Sequence, residues 1–394
     1  MQLGFTFLRF YVKIVLIGVN IAAEKYMRKF TLSVISVLLA LTVTLAGCSC
    51  NAKSELSFKS AYLGENVIVE PSSGYRETLT YKVAYADSYL SEFAISERLK
   101  KNIDEGKYGF TFGDGVYTAV LETVSAASLT GEAAESDLID NLPSEAKTLY
   151  KLTTDLTLPV TYANCSYDGN TDDYAFTDNI KSTVYFCSYK FSFAPIFVNT
   201  FSLYTTFSAG EDTAVIGRVR TERTVVYNQK SYKTTLRYYD GIKEENPELK
   251  SENGYTNDYE YRTLIDNAEL LFAVRNLDVE LEKSVYIPVV SAQYKEDKTL
   301  AIKAESASTE PKTTIKVNGT LSEEELQVIN YSLSIYGTEN AGMRQLFSVQ
   351  KAKGAALENK ALLVKYVEPL TAYGLMAPMG VLVYTLTAAE YVTA

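Results

Sequence analysis

Apolar and polar residues alternate with a period of two along much of this 394-residue chain, and that pattern limits it to strands that bury one face. Over 78–86, Leu79, Tyr81, Val83 and Tyr85 fall on one side and Thr80, Lys82 and Ala84 on the other. Tyr108, Phe110 and Phe112 alternate into Gly113-Asp114-Gly115, and 116–124 returns, which reads as a hairpin. Residues 149–162 alternate again, and 182–207 is aromatic throughout with an expected break at Pro195. Two further strands, 213–227 and 232–239, flank Asn228-Gln229-Lys230-Ser231, a hairpin turn. Strands are expected to resume at 285–294, 299–304, 313–317, 331–336, 345–350, 361–367 and 380–391. The 31 tyrosines suit such faces, because the ring is buried while the hydroxyl stays wet.

Helical spacing holds in two segments only. One is 88–105, where Leu90, Phe93, Leu99 and Ile103 recur among charges. The other is 266–277, opened by Asp266-Asn267-Ala268-Glu269, the signature of a capping box. A second such signature, Ser322-Glu323-Glu324-Glu325, predicts a further short helix. The fold class that follows is mainly β (α+β): an antiparallel β-rich module with short helices near 88–105 and 266–277. The polar segment 241–257, which carries Pro247, is the expected boundary between a first half at 56–240 and a second at 258–394, within one continuous domain or between two.

The amino-terminal region follows a different logic. Arg28 and Lys29 precede an uncharged apolar run from Phe30 to Thr44, shorter than the roughly 20 residues of a spanning helix and of the kind a signal peptide uses. It ends Leu45-Ala46-Gly47-Cys48, which resembles the lipobox of bacterial lipoproteins at all four positions. The resemblance implies a diacylglyceryl thioether on Cys48, cleavage between Gly47 and Cys48, and acylation of the new amino terminus. Each buried acyl methylene contributes about 0.8 kcal/mol, so two or more chains hold firmly. On this reading 27–47 is the signal peptide and 48–55 a lipidated tether. Residues 1–26 hold a second apolar run, Ile14 to Ala23, for which a signal peptide has no use; they are expected to be an over-extended gene start, with Met27 the initiator.

Loss of 1–47 removes five basic residues and one acid, leaving 33 basic against 47 acidic residues, a net charge near −14. That surface repels nucleic acid and anionic headgroups, so no nucleic-acid partner is expected. The chain has no histidine, which excludes Ser-His-Asp and Cys-His catalysis and histidine-ligated metals. No enzymatic role is expected; a hydrolase of the envelope would have to work with carboxylates, and no pair stands out among so many. The cluster Glu244, Glu245, Glu248 and Glu252 reads as a solvated loop.

Three further patterns carry chemistry. Cys165 and Cys187 are the cysteines left for the folded part and form a disulfide candidate, worth about 3 kcal/mol if closed. Asp168, Asn170 and Asp172 place oxygen ligands at alternate positions of a tight turn, as calcium loops do, but Asp173 and Asn179 stand where an EF-hand requires glycine and glutamate. Calcium is the one cofactor this suggests. Ser144-Glu145-Ala146-Lys147 and Ser348-Val349-Gln350-Lys351 match Ser-x-x-Lys, yet no Lys-Thr-Gly accompanies them. The expectation is a lipoprotein on the extracytoplasmic face, with the membrane as its partner through the anchor and a binding or structural role toward a protein, glycan or apolar small molecule. Helices on the concave side of a curved sheet are similar to the architecture of periplasmic lipoprotein carriers, which makes an apolar or lipid ligand the specific alternative.

Overall fold

The computed structural model describes residues 74–125, 142, 149–189, 192–231, 233–241, 251–258, 265–277, 279–291, 296–335, 344–350, 362–375 and 377–392. The lipobox, the tether, Ser144 to Lys147 and Glu244 to Glu248 lie outside the described residues.

Strands dominate. In chain order they are β1 (Arg76–Ala86), β2 (Gly109–Phe112), β3 (Gly115–Val124), β4 (Leu149–Tyr167), β5 (Asn170–Tyr189), β6 (Ser192–Ala209), β7 (Ala214–Asn228), β8 (Lys233–Gly241), β9 (Ser251–Asp258), β10 (Ile265–Asp266), β11 (Ser284–Ser291), β12 (Glu296–Val317), β13 (Thr320–Ile335), β14 (Gln345–Gln350), β15 (Leu362–Gly374) and β16 (Ala377–Val392). Sequential neighbours pair antiparallel along most of the chain, except that β2 pairs with β4 and not with β3, so the hairpin expected over 108–124 does not form. β1 lies between β3 and β16, so the first and last strands zip the two halves into one sheet. Among the described residues β9 and β10 form the two ends of the strand order. Part of the expected boundary segment is itself a strand: β9 pairs with β8 from Lys233↔Asp258 to Asp240↔Ser251.

Local chemistry sets the registers. Asp168 (φ 50°) and Gly169 (φ 87°) turn β4 into β5, and Asn318 (φ 48°) and Gly319 (φ 81°) turn β12 into β13, the two-residue geometry that matches strand twist. The second turn overrides the capping signature at 322–325. With Val317 opposite Thr320, Ser322 and Glu323 fall opposite Ile315 and Thr314 in a ladder, and the expected helix is a strand. Pro195 likewise lies inside β6 rather than ending it. It faces Phe186 where the β5–β6 register shifts, and a bulge tolerates the missing N–H.

The helical expectations are met in shortened form. Over 88–105 the structure has a 3₁₀ turn at Ser91–Phe93 and α1 at Glu97–Asp104, capped by the Ser96 hydroxyl, which accepts from Leu99 N. Over 266–277 there is a 3₁₀ turn at Asn267–Glu269, α2 at Leu270–Ala273 and a second 3₁₀ turn at Val274–Asn276. The capping box at Asp266 and Glu269 is present in full.

Short parallel contacts bend the sheet back on itself. Tyr373 and Gly374 of β15 meet Ser208 and Ala209 of β6, Lys316 and Val317 of β12 meet Ala388 and Ala389 of β16, and Ser166 meets Val215. Two main cores result. The larger is walled by side chains such as Leu79, Val83, Leu152, Val184 and Leu386, with Leu270 and Phe272 of α2 inside it. The second gathers Leu99, Tyr108, Val160, Tyr162, Phe207 and Met379. On β1 and β4 the opposite face is wet: Arg76 and Lys82, and Thr157, Pro159 and Thr161, are exposed. A lipid-facing barrel has the reverse pattern. Among the described residues no helix is long and apolar enough to cross a membrane.

Candidate ligand pocket beneath an internal plug

The segment 266–277 forms a plug against the inner face of the sheet. Two ionic anchors hold it. At its start the Asp266 carboxylate, wholly buried, accepts hydrogen bonds from Arg223 and Tyr227 of β7 and from Ala268 N. Asp266 N in turn donates to Glu269 Oε1 at 3.0 Å. Glu269 is also wholly buried. Burial pushes its carboxyl well above the usual range; the hydrogen bond from Asp266 N works the other way, and the Asp266 charge adds to the rise. Its Oε2 meets no hydrogen-bond partner among the described residues.

At the plug's end Arg275 reaches Glu77 of β1 through two hydrogen bonds, and its guanidinium lies 5.3 Å over the Phe272 ring. Burial alone would lower the Arg275 pKa; the Glu77 carboxylate outweighs it, and the group is held firmly charged. Between the anchors, Phe272 packs on Phe186 with centroids 5.2 Å apart.

A small cavity remains between the plug and the wall formed by Leu79, Tyr81, Tyr117, Leu121 and Leu152, with Glu77 and Arg275 at its edge. Its volume is about 20 Å³, room for one water. Tyr81 donates to the Leu363 carbonyl at 3.0 Å, and burial raises the phenols of Tyr81 and Tyr117. The wall is thus neutral, aromatic and aliphatic, with a single compensated charge pair. A line of rings continues from Tyr117 to Tyr384 (5.8 Å) and Tyr366 (4.9 Å).

The sequence-derived candidates lie elsewhere. Gly47 and Cys48 of the lipobox are outside the described residues. Cys165 and Cys187 are both free and buried, which corrects the disulfide expectation. Cys165 faces Asp172 near the β4–β5 turn, and Cys187 faces Leu149 at the hairpin's other end. The fifteen residues from Asp172 to Cys187 span about 50 Å of strand at roughly 3.3 Å each, far beyond disulfide reach. Asp168, Asn170 and Asp172 flank the same turn, where Asp172 Oδ1 accepts from Asp173 N and the Asn170 carbonyl accepts from Tyr174. Among the described residues no three acidic or cysteine side chains converge as a metal would require. Ser348 is buried and donates to Asn330 across β13–β14, an ordinary cross-strand contact.

The charged residues that matter were visible by phase. Glu77 is in register with Leu79, Tyr81 and Val83, and Arg223 with Val225 and Tyr227. A charge in the buried phase of an alternating strand needs a partner. Arg218, in phase with Ile216, behaves the same way: it donates to Asp178 at 2.6 Å and to Thr205 at 2.8 Å, and stacks over Phe176.

No family model matches the chain, and no curated protein matches it. Among solved structures it is similar to a beta-barrel-like protein of a domain of unknown function, DUF1849, from Brucella abortus. That likeness has 8% identity and a TM-score of 0.35, and it covers 82% of this chain and all of the other.

Proposed function

We propose that the chain is an exported lipoprotein, tethered through Cys48 to the extracytoplasmic face of a membrane, and that its β domain is a non-enzymatic binding module for an apolar small molecule. The observation that carries the binding reading is the plug. It is a helical insertion on the inner face of a curled sheet, held by two side-chain anchors over an apolar, aromatic wall. With the plug seated, the space beneath it admits about one water, so a ligand takes the plug's place or lifts it. The acid pair Asp266 and Glu269 does not favour hydrolysis, since both side chains are buried and engaged in the capping box. The polar outer faces of β1 and β4 support a domain that stands beside the membrane rather than in it.

Two measurements test this. Cys48→Ala should move the protein from the membrane to the soluble or unprocessed fraction; unchanged lipid-labelled membrane protein would reject the anchor. Phe272→Ala should increase saturable binding of an uncharged fluorescent naphthylamine several-fold. Absence of saturable binding in both wild type and variant would reject the pocket.

A further inference from the structure

Glu368 lies on β15 with its side chain in the large core, 4% exposed. Its register partner is Leu382 on β16, which in turn faces Tyr85 on β1. The groups around it are phenols. Tyr384 of β16 donates to its Oε2 at 3.0 Å. Tyr366, two residues earlier on β15, packs its ring at a tilt against Tyr384, with centroids 4.9 Å apart, and leaves its buried hydroxyl without a hydrogen-bond partner among the described residues. Tyr117 of β3 closes the ring group through Tyr384. Tyr85 gives its hydroxyl to the Met379 carbonyl instead. Among the described residues no lysine, arginine or second carboxylate acts on Glu368. This sets it apart from Glu77, Asp178 and Asp266, each of which has an arginine.

Its place in the fold gives this isolation a consequence. Immediately beyond Glu368 the β15–β16 register shifts, between Pro369 and Thr371. Beyond it the hairpin strands, 370–374 and 377–380, run past their last pairs with β14 and β1 as an arm. The arm pairs with β6 through Tyr373 and Gly374, hydrogen-bonds Ser96 N through the Pro378 carbonyl, and buries Ala372 and Met379 on the second core beside Phe207. Glu368 stands at the root of that arm.

We propose that Glu368 is a proton-operated latch: protonated, it lets the arm lie on the second core, and ionised, it opens the dry seam at the arm's root and uncovers the apolar side chains beneath. A carboxylate with one phenol donor and no cation cannot stay in that seam at low cost. Burial accordingly raises its pKa to about 8, with the Tyr384 hydrogen bond working the other way. In the open arm the group is hydrated and regains an ordinary pKa. Opening therefore releases one proton between these two values, and its equilibrium constant rises tenfold per pH unit across that window.

The test is hydrogen exchange read by mass spectrometry on the full chain in detergent, from pH 5.5 to 9.5, corrected for intrinsic exchange. Amides of 371–381 should open about 100-fold more at pH 7.5 than at pH 5.5, levelling off above pH 8, while 152–158 of β4 change little. Glu368→Gln should abolish the rise. If that variant does not fold, Tyr384→Phe keeps the acid and removes the donor that favours its ionised form, so the plateau should move to higher pH. A flat wild-type profile, the same slope in Glu368→Gln, a plateau unmoved in Tyr384→Phe, or a slope shared equally by β4 would each overturn the latch.

Discussion

Arg275 on the plug and Glu77 on β1 are 198 residues apart in sequence, yet the guanidinium meets both carboxylate oxygens in parallel, at 2.7 and 3.0 Å. Both side chains are buried. Such a pair stabilises little relative to an apolar pair of the same shape, because both charges lose their hydration; removing one partner leaves the other stranded, at about 3–5 kcal/mol. Arg275→Met and Glu77→Leu should each cost that much in urea unfolding. The double variant should lie within about 1 kcal/mol of wild type, or above it. Additive losses in the double variant would show that each residue acts through something other than the pair.

The arm's path depends on two glycines. Gly374 (φ 81°) and Gly380 (φ 89°) would each bring a Cβ to within 2.4–2.5 Å of a backbone oxygen, Ala209 O and Ala86 O respectively. Gly169 and Gly319 have similar φ but open space around the added atom. Alanine at the first two positions adds a clash to the left-handed strain of about 1–3 kcal/mol, whereas the other two carry the strain alone. Thermal unfolding should rank Gly374→Ala and Gly380→Ala clearly below Gly169→Ala and Gly319→Ala. Equal losses at all four would mean that close approach to β6 and β1 is not what selects glycine.

Cys165 and Cys187 are expected to be reduced thiols. Burial pushes Cys165 to about 11 and Cys187 to about 12, so neither is a thiolate at neutral pH and neither should react with a thiol reagent in the native state. Alkylation in denaturant without reductant should label both, as read by peptide mass. A native Cys165–Cys187 bridge would leave both unlabelled.

The sheet was legible in the sequence because its alternation is regular: Leu79 to Val83 and Leu152 to Tyr162 each bury one phase. So was the plug, since the Asp266 and Glu269 capping box is a short-range signal that the structure retains. What failed was reasoning about pairs at long range and about local signals that the sheet overrides, such as the hairpin expected at 108–124, where β2 pairs with β4. Cys165 and Cys187 looked like natural partners by elimination, but a long hairpin with a two-residue turn at Asp168-Gly169 carries them to opposite ends. Ser322 to Glu325 carried a helix signature that the Asn318-Gly319 turn overruled by fixing the ladder. The pairing of Glu77 with Arg275 needed the closure of the sheet, which no local pattern encodes. The phase of Glu77 could have marked it as buried, though not named its partner.

Glu269 provides the last prediction. Its folded-state pKa is raised by burial, so the folded chain holds a proton that the unfolded chain releases above about pH 4.3. The unfolded state binds fewer protons in that window, so stability falls as pH rises, by about 1.4 kcal/mol per pH unit until the folded pKa is reached. The contribution is fully present below the unfolded value and is lost toward alkaline pH, the reverse of a carboxylate held in an ion pair. Glu269→Gln keeps an oxygen for Asp266 N, and so keeps the capping box, while removing the titration. Its stability relative to wild type should improve as pH rises above the unfolded-state value in denaturant unfolding, with Glu368 contributing the same pH slope to both proteins. A difference between the two that does not change with pH would show that Glu269 is not held neutral in the core.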